Sequence, residues 1–232
     1  MEGKRDAAEI LKGVRSKIEP PKKRCCIAII PCKITSRRLP HKNFIEVNGT
    51  PMTIWTLWKA LHCPYIDHVA ISTDNIDMVI DKLPQLDNSA FSRAMLVSRG
   101  EYVRHPDVAL YLVIRDAIKM LTTGMYVQDN PTHVVLMQPN VPTLPQYAID
   151  QVVEAVVEGK YNVARHYNLE GAETGGCCAY KAHALMEVAI MDSDNFAVLS
   201  ADPEVHTLED LSIVDRIFFQ RQEGRLDVND SG

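Results

Sequence analysis

Short apolar runs alternate with helical patterns along most of the chain, and this alternation is the sequence feature that most restricts the fold. Strands are predicted at 25–31, 67–73, 94–98 and 132–139, with further candidates at 161–165, 175–180 and 196–200. Helices are predicted near 51–62, 106–121, 145–157 and 207–219. Such alternation is typical of an α/β protein whose mostly parallel sheet has helices on both faces. Sheets of this class bind ligands at the carboxyl ends of their strands.

The length of 232 residues suits one α/β domain, which we place at 25–232. Residues 1–24 are predicted to form an N-terminal extension. Apolar residues at helical spacing indicate a short amphipathic helix there, which Pro20 and Pro21 end before a basic linker. The extension is either solvated or part of an oligomer contact.

Composition argues against several classes of partner. The formal net charge of -5 gives no electrostatic reason to expect nucleic acid. No apolar run approaches the roughly 20 residues that span a membrane, and the N-terminus lacks the apolar core of a secretory signal.

The six cysteines include two adjacent pairs and no C-x-x-C spacing. We therefore expect reduced, buried thiols in a cytoplasmic protein.

The loop after the first strand is rich in cations. Segment 31–43 contains two hydroxyl side chains, an amide and four cations, namely Lys33, Arg37, Arg38 and Lys42. Polyphosphate binding needs this mixture, because hydroxyl and backbone donors bind the oxygens while cations neutralise the charge. A basic loop is also typical of a solvated turn, but its position at the end of a strand favours phosphate binding.

Five short motifs follow one another in order along the domain. Segment 31–43 reads P-C-K-I-T-S-R-R-L-P-H-K-N, and the later motifs are N-G-T-P-M (48–52), S-T-D (72–74), Q-P-N-V-P (138–142) and T-L-E-D-L (207–211). Together they resemble the motifs of the cytidylyltransferases that activate sialic acid and 3-deoxy-manno-octulosonate as CMP conjugates. The resemblance covers about residues 25–219 and implies a Rossmann-like nucleotidyltransferase fold.

The resemblance assigns the first loop to the triphosphate and the cytosine ring of CTP. It implies nucleotide-binding roles for Lys33, Ser36, Arg37, Arg38, Lys42, Asn43, Ser72 and Asp74. Of these, Arg37, Lys42 and Asp74 would also be catalytic. Lys33 stands where the family has an arginine. The lysine keeps the positive charge but lacks the planar guanidinium that can form two parallel hydrogen bonds. Ile34 and Thr35 replace two small residues, and their β-branched side chains stiffen the loop.

The resemblance also implies a Mg²⁺ site, for which Asp74, Glu204 and His206 are the candidate ligands. Asp74 lies at the predicted ligand edge, where it is either a metal or nucleotide ligand or a helix N-cap. His206 replaces a family aspartate, and imidazole is a poor ligand for Mg²⁺. Either Asp74 and Glu204 hold Mg²⁺ with the phosphates, or the ion is softer, or catalysis is impaired. If this segment is aligned with the family motif in a different register, Asp202 would supply the carboxylate ligand.

The sequence signals for an acceptor-binding site are weaker than those for the nucleotide site. Gln138 and Arg165 are the candidates for acceptor contact, although a solvated loop explains the region of Arg165 equally well. Only about a dozen residues separate Arg165 from Gly176, so the arm that sialic-acid relatives exchange with a partner subunit is predicted to be short or absent. We still expect a homodimer.

These features predict a CTP-dependent cytidylyltransferase in which an oxygen of an acidic sugar attacks the α-phosphate and displaces pyrophosphate. Two alternatives stay open. One is a catalytically altered or inactive nucleotide-binding member of the family with a regulatory or assembly role, which His206 and the Ile34–Thr35 pair favour. The other is a nucleotidyltransferase for a non-sugar acceptor such as a phosphonate, which the shortened acceptor region allows.

Overall fold

The described part of the chain comprises residues 24–34, 36, 39–87, 92–105, 107–124, 127, 130–186 and 195–222 of a computed structural model. The predicted helix within 1–24 and the predicted nucleotide ligands Arg37 and Arg38 lie outside these residues, as does Thr35. Among the helices that are described, none is long and apolar enough to cross a membrane.

Seven strands of the described residues form one mixed sheet. They are β1 (Cys26–Pro31), β4 (His68–Thr73), β5 (Ala94–Ser98), β6 (His133–Leu136), β7 (Val163–Asn168), β8 (Glu173–Lys181) and β9 (Asn195–Ser200). Their spatial order is β5-β4-β1-β6-β8-β7-β9. Only β8 is antiparallel to its neighbours, and the other six strands run in one direction. The predicted, mostly parallel sheet is confirmed.

Helices cover both faces of this sheet, as predicted. They are α1 (Met52–His62), α2 (Ile76–Lys82), α3 (Leu110–Thr123), α4 (Gln146–Val157), α5 (Ala182–Met186) and α6 (Leu208–Gln222). Alternate residues of β1 point to opposite faces, so Ala28 joins one core cluster with α1 and α4, while Ile29 joins another with α3. All six cysteines are buried without disulfides, which confirms the predicted buried thiols.

Three local features differ from the sequence-based expectation. The short helix α2 follows Asp74, as the alternative interpretation of Asp74 as an N-cap implied, but Asn75 is the residue that begins it by accepting a hydrogen bond from the N–H of Met78 at 3.0 Å. Helix α3 begins at Leu110, a few residues later than expected. Segment 165–176 belongs to the hairpin of β7 and β8, whose strands pair within the main sheet.

Helix α6 fixes the loop that precedes it. Val205 in that loop packs with Leu211 and Val214 of α6 against a small two-stranded sheet, β2 (Glu46–Val47) and β3 (Thr50–Pro51). The carboxylate of Asp210 accepts hydrogen bonds from the N–H groups of His206 at 2.8 Å and Thr207 at 2.7 Å. The T-L-E-D-L motif therefore begins a helix and positions the segment with Glu204 and His206.

Candidate functional site

A groove runs along the edge of the sheet at the carboxyl ends of β1 and β6. It has two compartments, which share Leu110, Gln138 and Asn140. We call the first the basic compartment, with a volume of about 340 Å³. The second, which we call the acidic compartment, has a volume of about 480 Å³. A groove at this edge is where an open α/β sheet binds ligands.

The basic compartment contains most of the described residues that the first loop was predicted to contribute. Its polar and cationic lining includes Lys33, Ser36, Lys42, Asn43, Arg99 and His105. Within the described residues, no carboxylate lines this compartment. The lining therefore offers cations and hydrogen-bond donors without a like charge to repel an anion.

Hydrogen bonds hold the first loop against the sheet. The N–H of Ile34 donates to Asp74 Oδ1 at 2.9 Å, which connects the loop to the end of β4. The Asn43 side chain donates to the carbonyl of Lys33 at 2.9 Å, and the Thr53 hydroxyl donates to the carbonyl of Asn43 at 2.7 Å. The backbone that carries Lys33 and Lys42 is thus supported by β4 and by α1.

Arg99 is a buried cation of the basic compartment that the sequence analysis did not include among its candidates. Its guanidinium donates to the Ser72 hydroxyl at 3.3 Å and to the Ser72 carbonyl at 3.2 Å. Burial lowers the pKa of Arg99, while the charge of Asp74 opposes this change. Arg99 directly follows β5, so the rule that ligands bind at strand ends was a signal that could have found it.

The acidic compartment has a different lining. Its charged and polar side chains include Tyr111, Glu173, Thr174, Tyr180, Glu204 and His206, beside aliphatic side chains such as Ile114 and Leu185. Within the described residues, neither lysine nor arginine lines it. The two compartments therefore carry opposite formal charge on the two sides of Gln138 and Asn140.

Glu204 is held by several donors. Its Oε1 accepts a hydrogen bond from the N–H of Gly175 at 2.9 Å, and its Oε2 lies 2.7 Å from His206 Nε2. Burial raises the pKa of the Glu204 carboxyl, but the bonds from Gly175, His206 and Asn140 outweigh burial and hold the pKa below its usual range. Glu204 is therefore a carboxylate near neutral pH.

The junction of the two compartments contains Gln138, a predicted acceptor contact. Its backbone N–H donates to the carbonyl of Gly175 at 2.9 Å, and its side chain lies across that glycine. A Cβ at position 175 would lie 1.9 Å from Gln138 Nε2, so a larger residue there would displace the Gln138 side chain. The other predicted acceptor contact, Arg165, does not line the groove; its Nε lies 3.4 Å from Glu173 Oε1.

The family model described as "Cytidylyltransferase" matches residues 27–201 of the 232. The chain belongs to the cytidylyltransferase family. The resemblance inferred from the ordered motifs is therefore confirmed.

Curated relatives agree with this cytidylyltransferase assignment. Pseudaminic acid cytidylyltransferase of Campylobacter jejuni is 25% identical over 134 residues, which are 58% of this chain and 54% of that protein. A 3-deoxy-manno-octulosonate cytidylyltransferase of Psychrobacter is 38% identical over 47 residues, 20% of this chain and 17% of that one. The matches thus span about half, or less, of these curated relatives.

A solved structure shows the same fold. CMP:2-keto-3-deoxy-manno-octonic acid synthetase, solved with CTP, superposes with a TM-score of 0.64 at 14% sequence identity. The superposition covers 85% of this chain and 99% of the other. At this identity the likeness establishes the nucleotidyltransferase fold.

The candidate metal ligands of this cytidylyltransferase come from different strands of the sheet edge. Asp74 follows β4, whereas Glu204 contacts β8, and β1 and β6 lie between those strands. Three strand spacings, roughly 14 Å, separate the backbone of β4 from that of β8. Within the described residues, no group of three or more His, Cys, Asp or Glu side chains could hold a metal ion. Glu204 and His206 do lie together.

Three other sequence candidates have structural partners. Ser72 is buried beneath Arg99 and does not line the groove. Asp202, the alternative carboxylate, accepts from the Ser200 hydroxyl at 2.7 Å and pairs with Arg221 at 3.0 Å. The residue that caps α2 is Asn75, so Asp74 is not the cap of that helix.

Proposed function

We propose that this cytidylyltransferase transfers CMP from CTP to a hydroxyl of an acidic sugar and releases pyrophosphate. The observation that carries the proposal is the divided groove, in which a basic compartment meets a second compartment at Gln138 and Asn140. The curated relatives, named for pseudaminic acid and for 3-deoxy-manno-octulosonate, support an acidic sugar as the acceptor.

The basic compartment suits the triphosphate of CTP. Lys33, Lys42 and Arg99 bring three positive charges to its lining, and the hydroxyl of Ser36 adds a donor. Charge-assisted hydrogen bonds to phosphate are stronger than neutral ones, and they stabilise charge that develops on the leaving pyrophosphate. Because Asp74 and Asn43 hold the loop backbone, these cations are positioned before the nucleotide binds.

The acidic compartment would hold the acceptor, with its reacting hydroxyl at the junction. The hydroxyl oxygen forms a bond to the α-phosphorus of CTP while the bond from that phosphorus to the bridging oxygen of pyrophosphate breaks. The hydroxyl proton leaves to solvent or to a neighbouring base. The chain contributes by positioning both substrates and neutralising charge, which is the usual form of catalysis in phosphoryl transfer.

Mg²⁺ is the metal we propose for this reaction, and Glu204 fits it in part. Mg²⁺ is usually held by one or two carboxylates together with substrate phosphates and waters, so a large protein cluster is not required. Glu204 is the ionised carboxylate nearest the junction, since Asn140 contacts it, whereas Asp74 lies across the sheet. When bound, the ion would neutralise phosphate oxygens.

A pyrophosphate-release assay tests the proposed function. The protein is mixed in turn with each of the four nucleoside triphosphates, Mg²⁺ and either a 2-keto sugar acid or a phosphonate. We expect release with CTP and a sugar acid, and none with CTP alone. Binding of CTP without release in any mixture would instead indicate the inactive, nucleotide-binding alternative. Release with phosphonates alone would show that the acceptor class is wrong.

A further inference from the structure

The loop that joins β6 to α4 is buried, although it contains neither helix nor strand. We call residues 138–145 the junction loop, because Gln138 and Asn140 form the junction of the two compartments. Every residue of 139–145 is buried. Loops usually lie at the surface, where water satisfies their backbone polar groups. The buried carbonyls of the junction loop therefore need donors from within the protein.

Two side chains from distant parts of the sequence donate to neighbouring carbonyls of this loop. The Lys59 amine on α1 donates to the carbonyl of Pro142, and the Arg221 guanidinium on α6 donates to the carbonyl of Thr143 at 2.6 Å. Asp202 pairs with the same guanidinium at 3.0 Å and holds it in place. Burial lowers the pKa of Lys59 to about 7, but an uncharged amine still has N–H donors, so the contact does not require the charge.

The helices that supply these donors also support the two compartments. On α1, the Thr53 hydroxyl donates to the carbonyl of Asn43 in the first loop, at the basic compartment. At the start of α6, Asp210 accepts hydrogen bonds from the preceding backbone, which belongs to the acidic compartment. Lys59 and Arg221 line neither compartment, so they can affect the substrates only through the junction loop.

The position of Asn140 depends on how this loop is held. Asn140 is 5% exposed, and among the described residues its Oδ1 has no hydrogen-bond partner. Its amide nitrogen is the atom that can donate to Glu204, so the oxygen is left for a substrate donor at the junction. Its backbone carbonyl accepts from the N–H of Val205 at 2.7 Å. A displacement of about 1 Å at such a contact can lower a rate on the order of 100-fold.

From these contacts we propose that Lys59 and Arg221 are positioning residues for the transfer reaction. They hold the junction loop so that Gln138 and Asn140 lie where the acceptor hydroxyl meets the α-phosphate of CTP. The inference rests on the proposed function, because it assigns residues to that reaction. Loss of either donor leaves a buried carbonyl unsatisfied, so the loop must move to find another partner. The cations of the basic compartment lie outside this loop, so CTP binding should change little.

Kinetics of variants at these two positions test the inference. Lys59→Met and Arg221→Met keep an apolar stem and remove the donors. With CTP, Mg²⁺ and 3-deoxy-manno-octulosonate, we expect kcat for pyrophosphate release to decrease at least about tenfold in each, because the junction is displaced. The Kd for CTP, measured by calorimetry, should stay within about threefold of wild type. Arg221→Lys keeps a cationic donor and should retain more of kcat than Arg221→Met.

Two controls separate positioning from a general loss of stability. Leu121→Ala truncates a fully buried side chain of α3, in the core cluster that does not include the junction loop. It should unfold at a lower temperature than wild type but keep kcat within about threefold. Arg216→Met removes an exposed cation of α6 and should leave kcat unchanged. Lys59→Met replaces a buried amine by an apolar group, so it should lose kcat without a comparable loss of stability.

The outcomes distinguish the inference from the function beneath it. If Lys59→Met and Arg221→Met keep the kcat of wild type, or if Leu121→Ala loses kcat as they do, the inference is wrong and the cytidylyltransferase activity stands. Equal losses of kcat and CTP affinity also overturn it, because the loop would then support the nucleotide.

A measurement without turnover keeps the inference testable if the proposed function fails. If the wild-type protein releases no pyrophosphate with this or any other sugar acid, the proposed function is wrong. Hydrogen exchange of residues 138–145 then decides whether Lys59 and Arg221 position the loop. Faster exchange in Lys59→Met and Arg221→Met than in Leu121→Ala supports the inference, and equal exchange overturns it.

Discussion

Replacement of Asp74 separates two roles for its carboxylate, that of a metal ligand and that of a support for the first loop. Asp74 Oδ1 accepts a hydrogen bond from the N–H of Ile34, a residue that is 5% exposed. Asp74→Ala leaves this N–H buried without a partner, which costs about 1–3 kcal/mol. If the whole cost falls on the loop, CTP affinity decreases by roughly 5- to 150-fold. Asp74→Asn retains an oxygen at this position, so we expect its affinity to remain within about threefold of wild type.

The assay is calorimetric titration with CTP in EDTA, where a metal ligand contributes nothing. Asn75→Ala is a suitable control, because it removes the neighbouring cap of α2 without removing the contact to Ile34. If Asp74→Asn and Asp74→Ala lose CTP affinity equally, the charge of Asp74 matters and its hydrogen bond from Ile34 does not. Unchanged affinity in Asp74→Ala would refute the role of Asp74 as a support for the loop.

Three further predictions concern the basic compartment, the junction and the core. Lys42→Ala should weaken CTP binding at least about tenfold in calorimetry, as expected for loss of a charge-assisted contact, whereas the exposed Lys119→Ala should not. Gly175→Ala should displace the Gln138 side chain and lower kcat/KM for the acceptor more than it lowers CTP affinity. Burial lowers the pKa of Lys59 from 10.5 to about 7, so between these values the folded protein binds fewer protons than the unfolded chain and its stability increases with pH. Urea unfolding from pH 6 to 8, below the range in which the six buried thiols titrate in the unfolded chain, should show this increase as the difference in the free energy of unfolding between wild type and Lys59→Met.

The fold and the basic compartment were largely predictable because their signals are local. Apolar runs predict the strands, and the cations of the first loop follow a strand directly, so Lys33 and Lys42 were placed at the correct edge. Arg99 was not among the candidates, since a charged residue before a helix also suggests a solvated cap. Its burial depends on Ser72 of a neighbouring strand, which is a contact between distant parts of the chain.

The acidic compartment was harder to predict, because its residues come together only through the order of the strands. Glu173 and Gly175 lie on β8, the one antiparallel strand, and nothing local in the sequence marks its direction. The distance between Asp74 and Glu204 depends on the same order, since β1 and β6 are inserted between their strands. Motifs that the resemblance groups as one metal site therefore contact strands that are not neighbours in the sheet.

His206, which stands where the resemblance implies an aspartate, also has a structural consequence. Two carboxylates at positions 204 and 206 would repel each other unless a cation lay between them. With histidine, Nε2 faces Glu204 Oε2 at 2.7 Å, and the backbone of His206 is held by Asp210. Glu204 is therefore stabilised by hydrogen bonds from the chain itself, and this side of the groove keeps its geometry without an ion. Any requirement for Mg²⁺ would then arise mainly from the phosphates of CTP, which carry the charge that must be neutralised.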